Sequence, residues 1–370
     1  MKIISYFTLF LFLLFYSYAQ AQVAPLLAPP PGENKKACIA ERIGITDVTI
    51  HYDRPGVKGR EGKIFGTGVV NTGYQDLSFY GTCKSAPWRA GANENTTIEF
   101  STPVKVEGKE LPAGKYGFFI AFDFNECTLI FSKENKSWGS YFYDESMDAL
   151  RVKVKPEKLE KSVEWLKYEF INETAASDTV ALEWEKLQIP FKVEVDLVRT
   201  ELADFREELK GDKGFSWEAY MQAASFCLQN NTNYEQGLSW INVALRDQQN
   251  FQIFSTKALL LENLGKQIQA DSIMQKALPL ASMIEFHQYG KGLLKLKKNN
   301  EALVVFKMNA KKNPKQFTTY IGLARGYSAT GDYKNALANA QAGLQLAPDA
   351  ENKKAVDGMI TKLKEGKDIN

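Results

Sequence analysis

Apolar and polar residues along this chain follow two rhythms, and the change between them falls near residue 195. From about 43 to 195 apolar positions recur every second residue. In 46–53, Val48, Ile50 and Tyr52 fall on one face of an extended segment, with Thr49, His51 and Asp53 on the other. The same alternation marks 96–102, 104–106, 115–122, 127–132, 150–155, 163–171, 180–185 and 191–195, with Gly- and Pro-bearing turns between them. Eight or nine short strands with no long helix among them predict an antiparallel β-sandwich-like N-terminal domain over 37–195. The stretch 56–92 has neither rhythm. It is long and rich in Gly, the kind of ordered loop that often carries function.

Beyond 195 the period lengthens. Asp196 precedes a stripe of Leu197, Leu202, Phe205 and Leu209, and Gly211 follows it, which predicts a bridging helix over 196–215. From 216 the chain repeats. Tyr320, Leu323, Tyr327, Gly331, Tyr333, Ala336, Leu344 and Pro348 stand at the spacing of a tetratricopeptide unit. Earlier units are weaker copies. Their small residue in the second helix is Gly237, Ala270, Ala302 and then Ala336, at steps of 33, 32 and 34 residues, against a period of ~34 for this class. Small residues there let two helices approach closely. We expect an all-α tetratricopeptide-like helical repeat array of about four hairpins over 216–352, and a polar capping helix and tail over 353–370.

The first residues change the compartment. Lys2, an apolar run from 3 to 16 and Ala19-Gln20-Ala21 read as a signal peptide over 1–21, cut after Ala21. An uncleaved anchor is the alternative. A Pro-rich linker over 22–36 follows. The mature chain is expected to be exported, periplasmic or extracellular, with no membrane span. The full sequence has 46 basic and 44 acidic residues, a formal charge of +2 that falls to +1 when Lys2 leaves with the leader, which gives no electrostatic case for nucleic acid. An oxidising compartment permits a disulfide between Cys38 and Cys83, with four free thiols as the alternative. Cys127 and Cys227 sit in apolar patterns, as small core residues do.

Two stretches, 47–66 (DVTIHYDRPGVKGREGKIFG) and 88–115 (WRAGANENTTIEFSTPVKVEGKELPAGK), carry a family resemblance, supported by 138–155 (WGSYFYDESMDALRVKVK). Together they resemble the domain of unknown function 2911 family, over roughly 37–200. The resemblance implies a β-sandwich-like domain and an exported bacterial protein, and it implies no activity. Residues 67–87 are longer than the family pattern and carry Cys83.

Candidate chemistry lies on two surfaces. In the β domain, His51, Asp53, Arg54, Arg60, Arg89, Asn93, Glu94 and Asn95 form the densest polar set. Its sharp reading is a pocket in which Arg54 and Arg89 grip an anionic or glycan ligand through their rigid donor forks. The plainer reading ties the arginines to loop carbonyls. No His or Cys cluster suits a metal, no glycine-rich phosphate or dinucleotide motif suits a cofactor, and no Ser–His–acid pattern supports a triad. On the repeats, the first helix of each hairpin lines the concave face. It offers Gln222, Phe226, Gln229 and Asn230, then Ser255, Glu262 and Asn263, then His287, Lys291 and Lys295, and last Arg325. Lys291 and Lys295 are one turn apart and, with Arg325, suit a peptide carboxylate. The expected function is a non-enzymatic binding or scaffold protein of the bacterial envelope whose groove docks a protein or peptide. The alternative is an envelope hydrolase or carbohydrate-binding module working through the β domain.

Overall fold

The computed structural model describes residues 34–370. The expected signal peptide and most of the linker lie outside the described residues. The chain divides into two compact units, Met1–Asp196 and Leu197–Asn370.

The first unit holds two antiparallel sheets. One has six strands in the order β1 (Lys35–Ile43), β2 (Thr46–Arg54), β3 (Thr96–Phe100), β6 (Gly114–Ala121), β7 (Cys127–Ser132) and β8 (Asp148–Val154). The other orders β5 (Lys109–Leu111), β4 (Val104–Val106), β10 (Ser177–Glu194) and β9 (Glu157–Ile171). Alternation explains the clearest of these strands, such as β2, where Val48, Ile50 and Tyr52 are buried on one face, while β6 and β7 are buried on both faces. A layer of rings joins the sheets. Phe118 of β6 meets Phe191 of β10 at 5.5 Å and Tyr168 of β9 at 6.3 Å, and Tyr52 of β2 meets Tyr168 at 4.7 Å. The Tyr168 hydroxyl, fully enclosed, donates to the Ala90 carbonyl at 2.8 Å.

Two expectations need correction. The linker was placed through residue 36, yet β1 begins at Lys35 and pairs along its whole length with β2. They join by a two-residue turn whose first member, Gly44, has φ 59°, a conformation that favours glycine. The disulfide also does not form, since Cys38 and Cys83 are both free thiols. Cys38 is exposed on the edge strand β1, whereas Cys83 packs with Phe119 and Ile130 of β6 and β7. β2 and β3 stand between the strand that carries Cys38 and the β6–β7 pair on which Cys83 packs.

The stretch 56–92 is an ordered loop, held by isolated bridges at Gly56↔Trp165, Gly73↔Phe122, Gln75↔Ala86 and Trp88↔Ile120. A bulge in β10 supports it as well. Glu185 sits there at φ 54° and accepts from the Gly62 backbone N–H.

The second unit is ten helices. We label them α1 (Leu197–Glu208), α2 (Trp217–Gln229), α3 (Tyr234–Asp247), α4 (Phe251–Asn263), α5 (Gln267–Ala277), α6 (Met283–Lys295), α7 (Asn299–Lys312), α8 (Phe317–Ala329), α9 (Tyr333–Leu344) and α10 (Ala350–Lys364). α1 lays Leu202, with Val198, Phe205 and Leu209, against Met221, Ala224 and Cys227 of α2. Helices α2 to α9 form four hairpins, and α10 covers the last with Val356, Ile360 and Leu363. In each hairpin the first helix ends at one left-handed residue: Asn231 (φ 50°), Gly265 (72°), Lys297 (58°) and Gly331 (81°). Gly366 (φ 67°) repeats that position after α10. This turn fixes the register of every unit.

The third and fourth units interlock through one ring. Phe306 of α7 is fully buried. A methyl group on Gly290 of α6, or on Gly322 or Gly326 of α8, would lie 2.5, 2.7 or 2.9 Å from it. Three glycines thus make the socket that admits the ring. Among the described residues, no helix is long and apolar enough to cross a membrane.

Candidate functional site

In the β domain the polar set gathers in part. Asp53, near the end of β2, is buried. It accepts from Asn93 Nδ2 at 3.2 Å and lies 3.5 Å from Lys36 Nζ. The same ammonium is 2.7 Å from Glu94. Burial pushes the Asp53 carboxyl above its ordinary range, against the Asn93 hydrogen bond and helped by neighbouring Glu94. Lys36 holds Glu94 below its range. Lys36 therefore bridges two carboxylates, a role hidden in the sequence because the residue read as linker.

The arginines are engaged by backbone carbonyls. Arg54 Nε donates to Leu166 O at 2.9 Å. Arg60 donates to Val57 O at 3.0 Å and Gly56 O at 2.7 Å. Arg89 donates to Asn93 O, and its guanidinium lies 5.2 Å from the centre of the Tyr141 ring. These forks donate to carbonyls of the long loop and its neighbours. His51 is exposed, with Nε2 3.8 Å from the Cys38 thiol on the paired strand. The Asn95 amide is buried, with neither its nitrogen nor its oxygen hydrogen-bonded.

A different feature marks this unit's surface. Phe79 and Tyr80, at the tip of the long loop, are 88% and 75% exposed, and Trp138 and Phe142 stand exposed on 133–147. The tip is anchored, because the Thr82 and Cys83 amides donate to Tyr141 O at 3.0 and 3.1 Å. The sequence reading singled out this loop but not its rings. The available signal was an aromatic pair, Phe79-Tyr80, in a stretch with no apolar period.

On the helical unit the predicted groove residues divide. In the first two units Gln222, Gln229, Glu262 and Asn263 are exposed. Asn230 and Asn263 turn back, donating to Phe226 O at 3.0 Å and Leu259 O at 2.9 Å on their own helices. Ser255 does the same with Gln252 O at 3.0 Å. A hollow of about 510 Å³ lies among Leu238, Lys257, Leu261 and Ile268, where no groove residue was predicted.

The third and fourth units are electropositive. His287 of α6 sets its ring 5.8 Å from Phe306, and its Nδ1 is buried without a partner. Burial, then the nearby Lys291 and Arg325 charges, pushes its pKa down to about 4. His287 is thus neutral at pH 7. Among the described residues, Lys291 and Lys295 form no ion pair. Arg325 is half-buried and, among the described residues, forms no ion pair with a carboxylate. Its Nη1 lies 3.5 Å from Ile369 O and 3.5 Å from Asn370 Oδ1. The structure therefore brings His287, Lys291 and Arg325 into one electrostatic neighbourhood and adds residues 368–370, which sequence reasoning did not include. Among the described residues, no group of three or more His, Cys, Asp or Glu is placed to hold a metal ion.

Comparison with known proteins agrees with the family resemblance of the β-rich half. Residues 34–193 match the model of a family described as protein of unknown function (DUF2911). A search of the curated proteins finds no match. Among solved structures, the helical region is similar to YrrB, described as a TPR protein with an unusual peptide-binding site. Identity is 20% over 44% of this chain and 84% of that one, with a TM-score of 0.30. It is also similar to the C-terminal part of a TPR repeat-containing protein from Cytophaga hutchinsonii, with 14% identity, 45% and 67% coverage and a TM-score of 0.35. MamA from Desulfovibrio magneticus RS-1 gives 21% identity, 42% and 95% coverage and a TM-score of 0.28.

Proposed function

We propose that this chain is an exported binding or scaffold protein whose helical array docks a protein partner in the groove of its third and fourth units. Export rests on the leader pattern of the first 21 residues. The observation that carries the docking reading is the set of cations along α6 and α8. Among the described residues Lys291 and Lys295 form no ion pair and Arg325 makes none with a carboxylate, so a partner's acidic groups meet cations that the fold leaves unpaired. Stacked hairpins present such a face as one extended surface. Arg54, Arg60 and Arg89 are engaged with backbone carbonyls, which counts against an anion grip or a hydrolytic pocket in the β domain.

Pull-down of the mature chain from bacterial envelope extract, with a charge-reversed variant beside it, tests this. Lys291→Glu with Lys295→Glu is expected to reduce capture of the specific partners at least tenfold. Lys353→Glu with Lys354→Glu, at exposed positions on α10, is expected to leave capture unchanged. Equal capture by all three proteins would sink the docking reading.

A further inference from the structure

We infer that the inner end of α8 is a recognition site for an extended acidic–aliphatic segment of a protein partner, and that residues 368–370 occupy it in cis. The inference rests on the docking reading above and names the chemistry of the partner.

After Gly366 the chain leaves the repeat. At the matching turns of the earlier units a helix begins within three residues, whereas 367–370 is not helical and runs back along α8. Its contacts are specific. The Ser328 hydroxyl, on a residue only 2% exposed, donates to Asp368 Oδ1 at 2.6 Å and accepts from the Ile369 N–H at 3.1 Å. Ile369, 7% exposed, fills the cluster of Ile321, Ala324, Ile360 and Leu363. The Asn370 amide donates to Arg325 O at 3.1 Å, and Arg325 Nη1 lies 3.5 Å from two neutral oxygens of the segment. One hydroxyl therefore reads a carboxylate and the amide that follows it, and an apolar slot reads the aliphatic side chain.

The pocket is particular to the fourth unit. In the register set by the left-handed turn residues, Ser328 corresponds to Leu228, Glu262 and Leu294, and Arg325 to Ser225, Leu259 and Lys291. A buried serine with a cation three residues before it recurs in none of them. The segment makes no close ion pair with Arg325. The Asp368 carboxylate takes the Ser328 hydroxyl and acts on Arg325 only from a distance, while Arg325 Nη1 lies 3.5 Å from the Ile369 and Asn370 side of the segment. Arg325 and neighbouring Lys291 would pair with a segment carrying a further acidic residue. The Asp-aliphatic core of such a segment meets the same hydroxyl and slot, so it competes with the resident one for them.

The test uses a fluorescent peptide copying residues 363–370 and the full chain with 368–370 deleted. The deleted chain is expected to bind the peptide at least tenfold more tightly than the intact chain, whose own segment competes. Ser328→Ala in the deleted chain is expected to weaken binding at least tenfold, and a peptide with Asn in place of the Asp likewise. A deleted chain that keeps its helical circular dichroism yet does not bind overturns the inference, as does binding indifferent to Ser328→Ala. Should the deletion unfold the last unit, hydrogen exchange in the intact chain decides. Excess peptide must speed exchange at the Ile369 amide, and an unchanged rate overturns the proposal. A dimer of the intact chain that Ser328→Ala dissolves would make a second copy the occupant and overturn it too. Partners captured through Lys291 and Lys295 that the peptide does not displace would overturn this inference while leaving the docking reading standing.

Discussion

His287 shows how a side chain of familiar type takes its behaviour from its surroundings. Burial, with Lys291 and Arg325 nearby, holds its pKa at about 4 in the folded chain, against 6.5 for the free group. The unfolded chain therefore binds a proton that the folded chain refuses. The resulting loss of stability is absent above pH 6.5 and grows as pH falls from about 6.5 to about 4. We expect His287→Gln to flatten the dependence of melting temperature on pH across that window and to change little at pH 7.5. Thermal melts at pH 7.5, 6 and 5 check this, and equal slopes for parent and variant would refute it. At this scale the sequence displayed residue types but not partners. Arg54, Arg60 and Arg89 were visible as donors, and two readings of them stood open. What bears on the choice is a set of acceptors on the backbone, such as Leu166 O, which lies 112 residues from Arg54. Asp53 and Glu94 met through Lys36, whose strand was not recognised.

Elements were legible wherever burial imposed a period. β2 follows its alternation closely, β3, β7 and β8 fall near their expected positions, and the repeat spacing located the four hairpins. β1 escaped because it is an edge strand. Along its length exposed and half-buried residues alternate, and Lys35, Lys36 and Ala37 give no apolar contrast. Residues 368–370 escaped for another reason. A three-residue segment has no period, and its fit depends on Ser328, 40 residues earlier. The glycine positions of the repeats were partly visible, but the ring that uses them was not. Gly290→Ala tests that packing. In an exposed helix the change would gain about 1 kcal/mol of propensity. Here the added methyl meets a fully buried ring at 2.5 Å that has nowhere to move, so we expect a net loss of about 1–3 kcal/mol in chemical denaturation. A stabilised variant would refute the socket.

At the scale of the whole molecule, two cores stand in one chain, each with its own buried clusters. The β unit is tied by Phe118, Phe131, Tyr168 and Phe191, and the helical unit by successive clusters that pass from hairpin to hairpin. Phe306→Ala should cost about 3–5 kcal/mol in the helical unit, as a ring removed from a tight site does. Scanning calorimetry is expected to show this as one transition moved down in temperature, with the transition that responds to Phe118→Ala left in place. A single transition shifted by both substitutions would contradict it. The socket around Phe306 also bears on how such a sequence can change over generations. Three glycines on two helices answer to one ring on a third, so none of the four positions can drift alone without loss. Once a smaller side chain such as Leu stands at 306, an alanine at 290, 322 or 326 ceases to be harmful and fills the space left behind. The damage from the pair should then be less than the sum of its parts, and the order in which the changes arise decides which of them natural selection tolerates.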